Sequence, residues 1–177
     1  MSAVRIKLSG QRAAFHCIGR IVGAERLLDD AGKEALTRML WKMAAFCGME
    51  VITYCMMSNH FHVLIRVPGP LELTDGQLVE RLEGLYGSKG ALTQLAREAM
   101  RERGKIDGDI RRKLVERMGD VSAFMGELKQ RFSRWYNRRH ERLGTLWAER
   151  FKSVVVEDQP GCLEAVAAYI DLNPVWA

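Results

Sequence analysis

The chain has 177 residues, of which 47% are hydrophobic and 28% charged, the composition of a globular protein that can bury a core. Its 27 lysines and arginines against 22 acidic residues give a net charge of +5, a moderate excess compatible with a polyanionic partner. No apolar run approaches the roughly 20 residues that span a bilayer, and the N-terminal segment lacks the apolar stretch of a signal peptide. We therefore expect one domain over residues 1–177 of a cytoplasmic protein, with no membrane partner.

The four cysteines do not form a CxxC pair, which argues against a zinc ribbon or a redox motif. Cys17, Cys47 and Cys55 stand in apolar contexts and are predicted to be small core residues, whereas Cys162 lies near the closing helix.

The first 68 residues predict a β-α-β-β unit, because short apolar runs flank one segment with helical spacing. A Ser58-Asn59 turn separates the last two strands. The four elements cover residues 13–22, 29–48, 49–57 and 60–67.

The rest of the chain adds mainly helices. Residues 69–120 are charged and broken by glycines, which predicts a helical insertion whose mixed charges form a solvated surface. A helix over 121–142, a short strand over 153–157 and a closing helix that stops near Pro174 follow. The order β-α-β-β-α-β predicts an α+β fold: a ferredoxin-like split βαβ antiparallel sheet, with helices on one face and the other face partly open.

His60 and His62 lie two apart in a strand, so they share one face of the sheet. Two neutral imidazoles on one face can bind a divalent metal from one side. Taken alone, such a pair is more often two surface or half-buried histidines without a ligand. The metal hypothesis therefore needs a third ligand.

The closing helix offers that ligand. Tyr169 and Asn173 are four residues apart and lie on one helical face, and the Asn173 amide oxygen suits Mg²⁺ or Mn²⁺. Tyr169 would then lie one turn from the metal, as a nucleophile requires. The alternative is that Asn173 ends the helix and Tyr169 is a core aromatic.

Four segments together carry a family resemblance. The sequence contains "HFH" at 60–62, "KQRFSRWYNRRH" at 129–140, "GTLWAERFKSVVVED" at 144–158 and "YIDLNPV" at 169–175. In this order they resemble the single-tyrosine HUH transposases, above all the REP-associated tyrosine transposases and related small insertion-sequence enzymes. The resemblance extends over nearly the whole chain outside residues 69–120.

The resemblance implies a nuclease that cleaves and rejoins single-stranded or hairpin DNA. It implies that His60, His62 and Asn173 bind Mg²⁺ or Mn²⁺, and that Tyr169 is the nucleophile, becoming joined to the 5′ end of the DNA and releasing a 3′-OH. His60, His62 and Tyr169 are then the catalytic set. Such an enzyme would act on nucleoid DNA in the cytoplasm.

Two further expectations follow from the resemblance. The family pattern usually continues past "NPV", whereas this sequence reads "NPVWA", which predicts that a C-terminal tail is missing. Relatives include monomers and dimers that share active sites, so a homodimer stays open.

A basic helix supplies the predicted DNA-binding residues. Its cations cluster with aromatic side chains between them, a pattern that favours phosphate contacts and base stacking. A solvated helix face is the alternative. The predicted set is Lys129, Arg131, Arg134, Trp135, Arg138, Arg139, Arg142, Arg150 and Lys152.

Rival residues and rival functions remain. Tyr136 is the main competitor as nucleophile, but it falls on an apolar helical stripe typical of a core. His16 and His140 are not expected to be ligands. The alternatives to a strand-transfer enzyme are a catalytically silent nucleic-acid-binding domain of the same fold and a metal-dependent hydrolase without covalent catalysis.

Overall fold

The computed structural model describes residues 12–67 and 69–173 of the chain. Four strands and six α-helices occur in this part of the chain, with a short 3-10 turn at Val22–Ala24. They are β1 (Ala13–Arg20), α1 (Asp30–Cys47), β2 (Glu50–Met56), β3 (His60–Val67), α2 (Asp75–Tyr86), α3 (Ala91–Arg103), α4 (Gly108–Met118), α5 (Val121–Arg139), β4 (Lys152–Val156) and α6 (Pro160–Leu172).

The strands form one antiparallel sheet in the order β2-β3-β1-β4. Helix α1 connects β1 to β2, and β3 lies between these two strands. This is the split βαβ arrangement, so the predicted ferredoxin-like fold is confirmed.

One face of the sheet carries the main core. Alternate residues of β1 and β3 point to this face, among them Phe15, Cys17, Phe61 and Val63, and all four are buried. Helices α1 and α5 cover them with apolar stripes, of which Phe132 is fully buried.

Helix α1 is delimited by local signals in the sequence. The Asp29 carboxylate accepts a hydrogen bond from the Gly32 amide at 2.7 Å and caps the first turn. Gly48 ends the helix in the left-handed region, at φ 66°, where a side chain would be strained.

Three helices occupy the predicted insertion, and they are more than a solvated surface. Leu78 and Leu82 of α2 and Leu114 and Met118 of α4 are buried in the main core. The charged residues lie on the outward faces of these helices. The predicted solvated surface therefore accounts for the outward faces and not for the faces that pack on the core.

Helix α6 packs on the second face of the sheet, which the sequence predicted to be partly open. Leu163 and Ile170 of α6 pack with Leu64, Cys55 and Val156 in a smaller apolar cluster. The turn before α6 is held by Asp158, which pairs with Arg66 on this face at 2.8 Å. Helix α6 thereby reaches the face that carries the histidines.

Most predicted boundaries agree with the structure to within two residues. The exceptions include the helix predicted over 121–142, which ends at Arg139. The predicted stop at Pro174 lies outside the described residues. Cys17, Cys47 and Cys55 are buried, as predicted, and Cys162 is half-buried. No helix in the described part of the chain has both the length and the apolar character needed to cross a membrane.

Candidate active site

The two histidines of the HFH segment lie on the second face of the sheet, as their spacing predicted. His62 pairs with Cys55 on one side and Ile18 on the other, and the His60 and His62 ring centroids are 5.1 Å apart. The carbonyl of Asn59, in the preceding turn, accepts a hydrogen bond from the Ile21 amide at 2.8 Å. This bond fixes the start of β3 against the end of β1.

A third histidine joins the pair. His16 of β1 lies on the same face, and its Nε2 is 2.8 Å from Nδ1 of His62. The two rings are stacked, with centroids 5.1 Å apart and planes 24° apart. His16 was not expected to be a ligand, although its alternation with buried Ala13, Phe15 and Cys17 assigns it to this face.

His60 is oriented by its neighbour in the chain. Its Nδ1 lies 2.6 Å from Oδ1 of Asn59, while Nδ2 of Asn59 donates to the Ala24 carbonyl at 3.4 Å. Because an amide oxygen only accepts, Nδ1 of His60 carries the proton and Nε2 keeps its lone pair.

The imidazoles are held in their neutral form. Burial is the largest of the causes that lower the pKa of His62 to about 4, followed by the neighbouring His16, His60 and Arg20 in that order. Burial also lowers the pKa of His16 and, together with Arg20, that of His60. Neutral imidazole is the form that binds metals.

Tyr169 projects from α6 onto the histidines. Its ring centroid is 6.0 Å from that of His62 and 6.1 Å from that of His16, edge-on to both. The side chain is 56% exposed, so a ligand can reach it from solvent. Tyr169 is therefore not a core aromatic, and its predicted role as the nucleophile stays a prediction.

Asn173 ends α6 one turn after Tyr169. Its Nδ2 donates to the Tyr169 carbonyl at 3.0 Å, which leaves the amide oxygen as its acceptor. This contact matches the helix-end alternative, and the predicted role as a metal ligand stays a prediction.

A side-chain hydrogen bond docks helix α6 on the sheet in addition to the apolar cluster. The Thr53 hydroxyl of β2 donates to the Asp171 carboxylate at 2.6 Å. Asp171 lies two residues beyond Tyr169, so this bond ties the tyrosine-bearing turn to the sheet.

Arg20 and Lys152 are the cations that lie in the same rows of the sheet as the two histidines of β3. Arg20 is the direct partner of His60 in the β1–β3 ladder and is exposed. Lys152 pairs with Ile18, which in turn pairs with His62, so it lies in the same row across the sheet. Arg20 was not predicted, because only the strand register places it beside His60.

The predicted basic residues of α5 fall into two groups. Lys129 is 7% exposed, and its Nζ donates to the Glu149 carbonyl at 2.6 Å and faces the Trp147 ring. Arg131 pairs with Glu127 at 2.7 Å and lies over the Tyr86 ring. Both cations therefore make contacts within the fold, and their predicted contacts with DNA stay predictions.

The other basic residues are more accessible. Arg134, Arg138, Arg139 and Arg150 are exposed, whereas Arg142 is half-buried. Arg139 lies over the half-buried Trp135 ring at 5.8 Å. Since α5 packs on the main core, these α5 residues lie across the sheet from the histidines.

The position of Tyr136 argues against it as the nucleophile. It is buried in the main core, and its hydroxyl donates to the Leu27 carbonyl at 3.0 Å. Burial raises the pKa of this hydroxyl. It is a structural residue, as the apolar stripe indicated.

The donor set suits a divalent cation only in part. His60 keeps a lone pair on Nε2, and His62 has its Nδ1 engaged by His16, so Nε2 is also its outward nitrogen. In residues 12–67 and 69–173, no group of three His, Cys, Asp or Glu side chains is arranged to hold a metal ion. Imidazole nitrogens and an amide oxygen are donor types that divalent cations accept, and the metal site stays a prediction.

Part of the chain is similar to a known protein family. The model of the IS200-like transposase family matches residues 10–91, a segment that contains the three histidines of the site and ends before α6. The resemblance predicted from the sequence is thereby confirmed. No curated protein matches the chain.

Two solved structures resemble the chain. A REP-associated tyrosine transposase bound to a REP hairpin is 16% identical, with a TM-score of 0.57, and the match covers 99% of this chain and 73% of that chain. A candidate transposase from Deinococcus radiodurans R1 is 14% identical, with a TM-score of 0.41 and 95% of each chain covered. The first likeness supports the fold.

Proposed function

We propose that the protein is a transposase-like nuclease that cleaves and rejoins single-stranded DNA through Tyr169. The observation that carries the proposal is the position of the Tyr169 ring, edge-on to His62 and exposed to solvent. The similarity to IS200-like transposases agrees with this chemistry, and it is independent of Tyr169 because the matched segment ends before α6.

The proposed reaction is a phosphoryl transfer to the tyrosine. The Tyr169 hydroxyl oxygen attacks the scissile phosphorus and forms a phosphotyrosine bond to the 5′ end, while its proton passes to solvent. The bond to the 3′ oxygen breaks, and that oxygen takes up a proton and leaves as a 3′-OH. Attack of a 3′-OH on the phosphotyrosine reverses these steps and rejoins the DNA.

The chain's own residues would bind and orient the phosphate. His60 and His62, with Asn173, would hold Mg²⁺ or Mn²⁺, which when bound supplies charge neutralisation at the phosphate. Arg20 and Lys152 add positive charge on the same face. The Thr53–Asp171 hydrogen bond and the apolar cluster hold the Tyr169 turn against this site.

The proposed substrate is single-stranded or hairpin DNA. The exposed cations Arg134, Arg138, Arg139 and Arg150 would contact its phosphates, and Trp135 would stack on bases. The related transposase of known structure is bound to a REP hairpin, which supports a hairpin as the first ligand to try. Sedimentation velocity with and without DNA tests whether the protein forms a homodimer.

A covalent adduct tests the proposal directly. A library of 3′-labelled DNA hairpins with randomised single-stranded flanks is incubated with Mn²⁺ or Mg²⁺, and label that stays with denatured protein is measured. We expect an adduct with the wild-type protein and none with Tyr169→Phe. Tyr136→Phe is the matched control, since it also removes one hydroxyl and lies in the core.

A silent DNA-binding module is the second candidate. The observation that favours it is the Asn173 amide, whose hydrogen bond is made to its own helix. Hairpins that bind the wild-type protein without forming any adduct would favour this candidate over the nuclease. An adduct that survives Tyr169→Phe but not Tyr136→Phe would reverse the choice of nucleophile.

A further inference from the structure

The hydrogen bond between His16 and His62 can have its proton on either of the two nitrogen atoms that it joins. Nε2 of His16 and Nδ1 of His62 are 2.8 Å apart, and between two neutral imidazoles one nitrogen donates and the other accepts. If His62 donates, its Nε2 has a lone pair. If His16 donates, Nε2 of His62 carries the proton and binds no metal.

His60 shows how the neighbouring ring is set. Its Nδ1 donates to Asn59, which leaves the Nε2 lone pair outward. Two imidazoles on one strand act together on a cation only when both present a lone pair. His62 therefore needs an acceptor on Nδ1, as His60 has, and His16 is the group in that position.

We propose that His16 is a positioning residue: its Nε2 accepts a hydrogen bond from Nδ1–H of His62 and so keeps the Nε2 lone pair of His62 free for the cation. The inference rests on the proposed function of the site. Stacking of the two rings, 24° from parallel, also restricts rotation of the His62 ring. His16 itself takes the Nδ1–H form and is not a ligand.

The proton positions are measurable without metal or DNA. Long-range ¹H–¹⁵N NMR spectra of the metal-free protein distinguish the Nδ1–H and Nε2–H forms of each histidine. We expect Nδ1–H on His60, His62 and His16 in the wild type. A wild-type spectrum with Nε2–H on His62 overturns the inference at once.

Two substitutions separate hydrogen bonding from packing. His16→Phe keeps a ring of similar size without an acceptor, and we expect His62 to lose its Nδ1–H form. His16→Gln places an amide oxygen near the former Nε2, and we expect the Nδ1–H form to persist. His140→Phe is the control, because His140 stacks on Tyr136 beside α5 and not on the site.

Mn²⁺ binding gives the second readout, by calorimetry and by paramagnetic broadening of the His60 and His62 signals. We expect His16→Phe to weaken Mn²⁺ binding about 10- to 100-fold, the usual effect of removing the partner of a metal-bound histidine, and His16→Gln to restore most of it. Equal affinity in wild type and His16→Phe overturns the inference.

The two hypotheses fail separately. One result supports the role of His16 and counts against the nuclease. In it, His16→Phe changes the proton form of His62, while the wild-type protein binds Mn²⁺ but forms no DNA adduct. The opposite result supports the nuclease and eliminates the role of His16. In it, the His16→Phe protein forms the adduct at the wild-type level and its His62 spectrum is unchanged.

Discussion

Arg20 and His60 face each other across the β1–β3 ladder, with Arg20 exposed on the histidine face of the sheet. A guanidinium beside two neutral imidazoles attracts an anion to this position. Burial is the largest cause that lowers the pKa of His60 and of His62, and the charge of Arg20 lowers both pKa values further.

Arg20→Gln should therefore impair both DNA binding and adduct formation, because each brings a DNA phosphate to this position. We expect a lower rate of adduct formation and weaker binding of short single strands, because the substitution removes one positive charge beside the scissile phosphate. Arg101→Gln, at an exposed position on α3, is the control and should change neither. Equal rates of adduct formation for the two variants would show that Arg20 does not contribute to the site.

Replacing both His60 and His62 by Ala should abolish cleavage that depends on Mn²⁺ or Mg²⁺. Both side chains lie on the second face, so the main core stays intact and circular dichroism should show a folded protein. His140→Ala is the control. Undiminished metal-dependent cleavage by the double variant would contradict the metal site.

The exposed arginines of α5 should give salt-dependent binding that is largely independent of sequence. For Arg134→Ala with Arg138→Ala, we expect the slope of log K against log salt to fall by roughly 0.7 for each DNA phosphate that the variant no longer neutralises. Arg101→Ala with Arg103→Ala, on α3, is the matched control. If the two double variants bind DNA alike, α5 is a solvated face.

Gly19 should not tolerate a side chain. It pairs with Phe61, and a Cβ at Gly19 would overlap the Phe61 ring, which lies between His60 and His62 in the strand. We expect Gly19→Ala to lower the free energy of unfolding by about 1–3 kcal/mol, the usual cost of overpacking. The control Gly126→Ala, with open space at its Cβ, should stabilise α5 instead. Urea denaturation measures both.

The Cys47 thiol should be inert in the folded protein. Burial raises its pKa to about 12, so the reactive thiolate is absent at pH 8. In the unfolded chain the Cys47 thiol has the ordinary pKa of 9.0. Between pH 9.0 and about 12, the thiol therefore loses its proton in the unfolded chain and keeps it in the folded protein. Cys47 therefore contributes stability below pH 9 that declines as the pH rises further. Alkylation followed by peptide mass spectrometry should modify half-buried Cys162 and spare Cys47.

Much of the fold was readable from periodicity. Alternation in 13–22 and 60–67 and the helical spacing of 29–48 each report a local property, and their order was enough to predict the split βαβ sheet. The faces of the helices at 69–120 were harder, because charge dominates their sequence while Leu78 and Met118 face the core.

The site was readable only where its residues are close in sequence. His60 and His62 are two apart, and Tyr169 belongs to a segment with a family resemblance. His16 and Arg20 depend on the register of β1 against β3, which no local pattern specifies. The burial of Lys129 was not readable from the sequence, because it comes from contacts with Glu149 and Trp147, distant in the chain.

The arrangement of α5 and the histidines on opposite faces limits the shape of the DNA that can touch both. The sheet has four strands, about 15 Å from the first axis to the last, and a DNA molecule in contact with both faces must turn around its edge or its end. Duplex DNA is stiff over about 150 base pairs and does not bend that sharply at low cost. If the protein has the proposed function, a hairpin that bridges both faces would have its junction between paired and unpaired segments at the rim of the sheet. The length of unpaired DNA beyond that junction would then determine which phosphate reaches Tyr169.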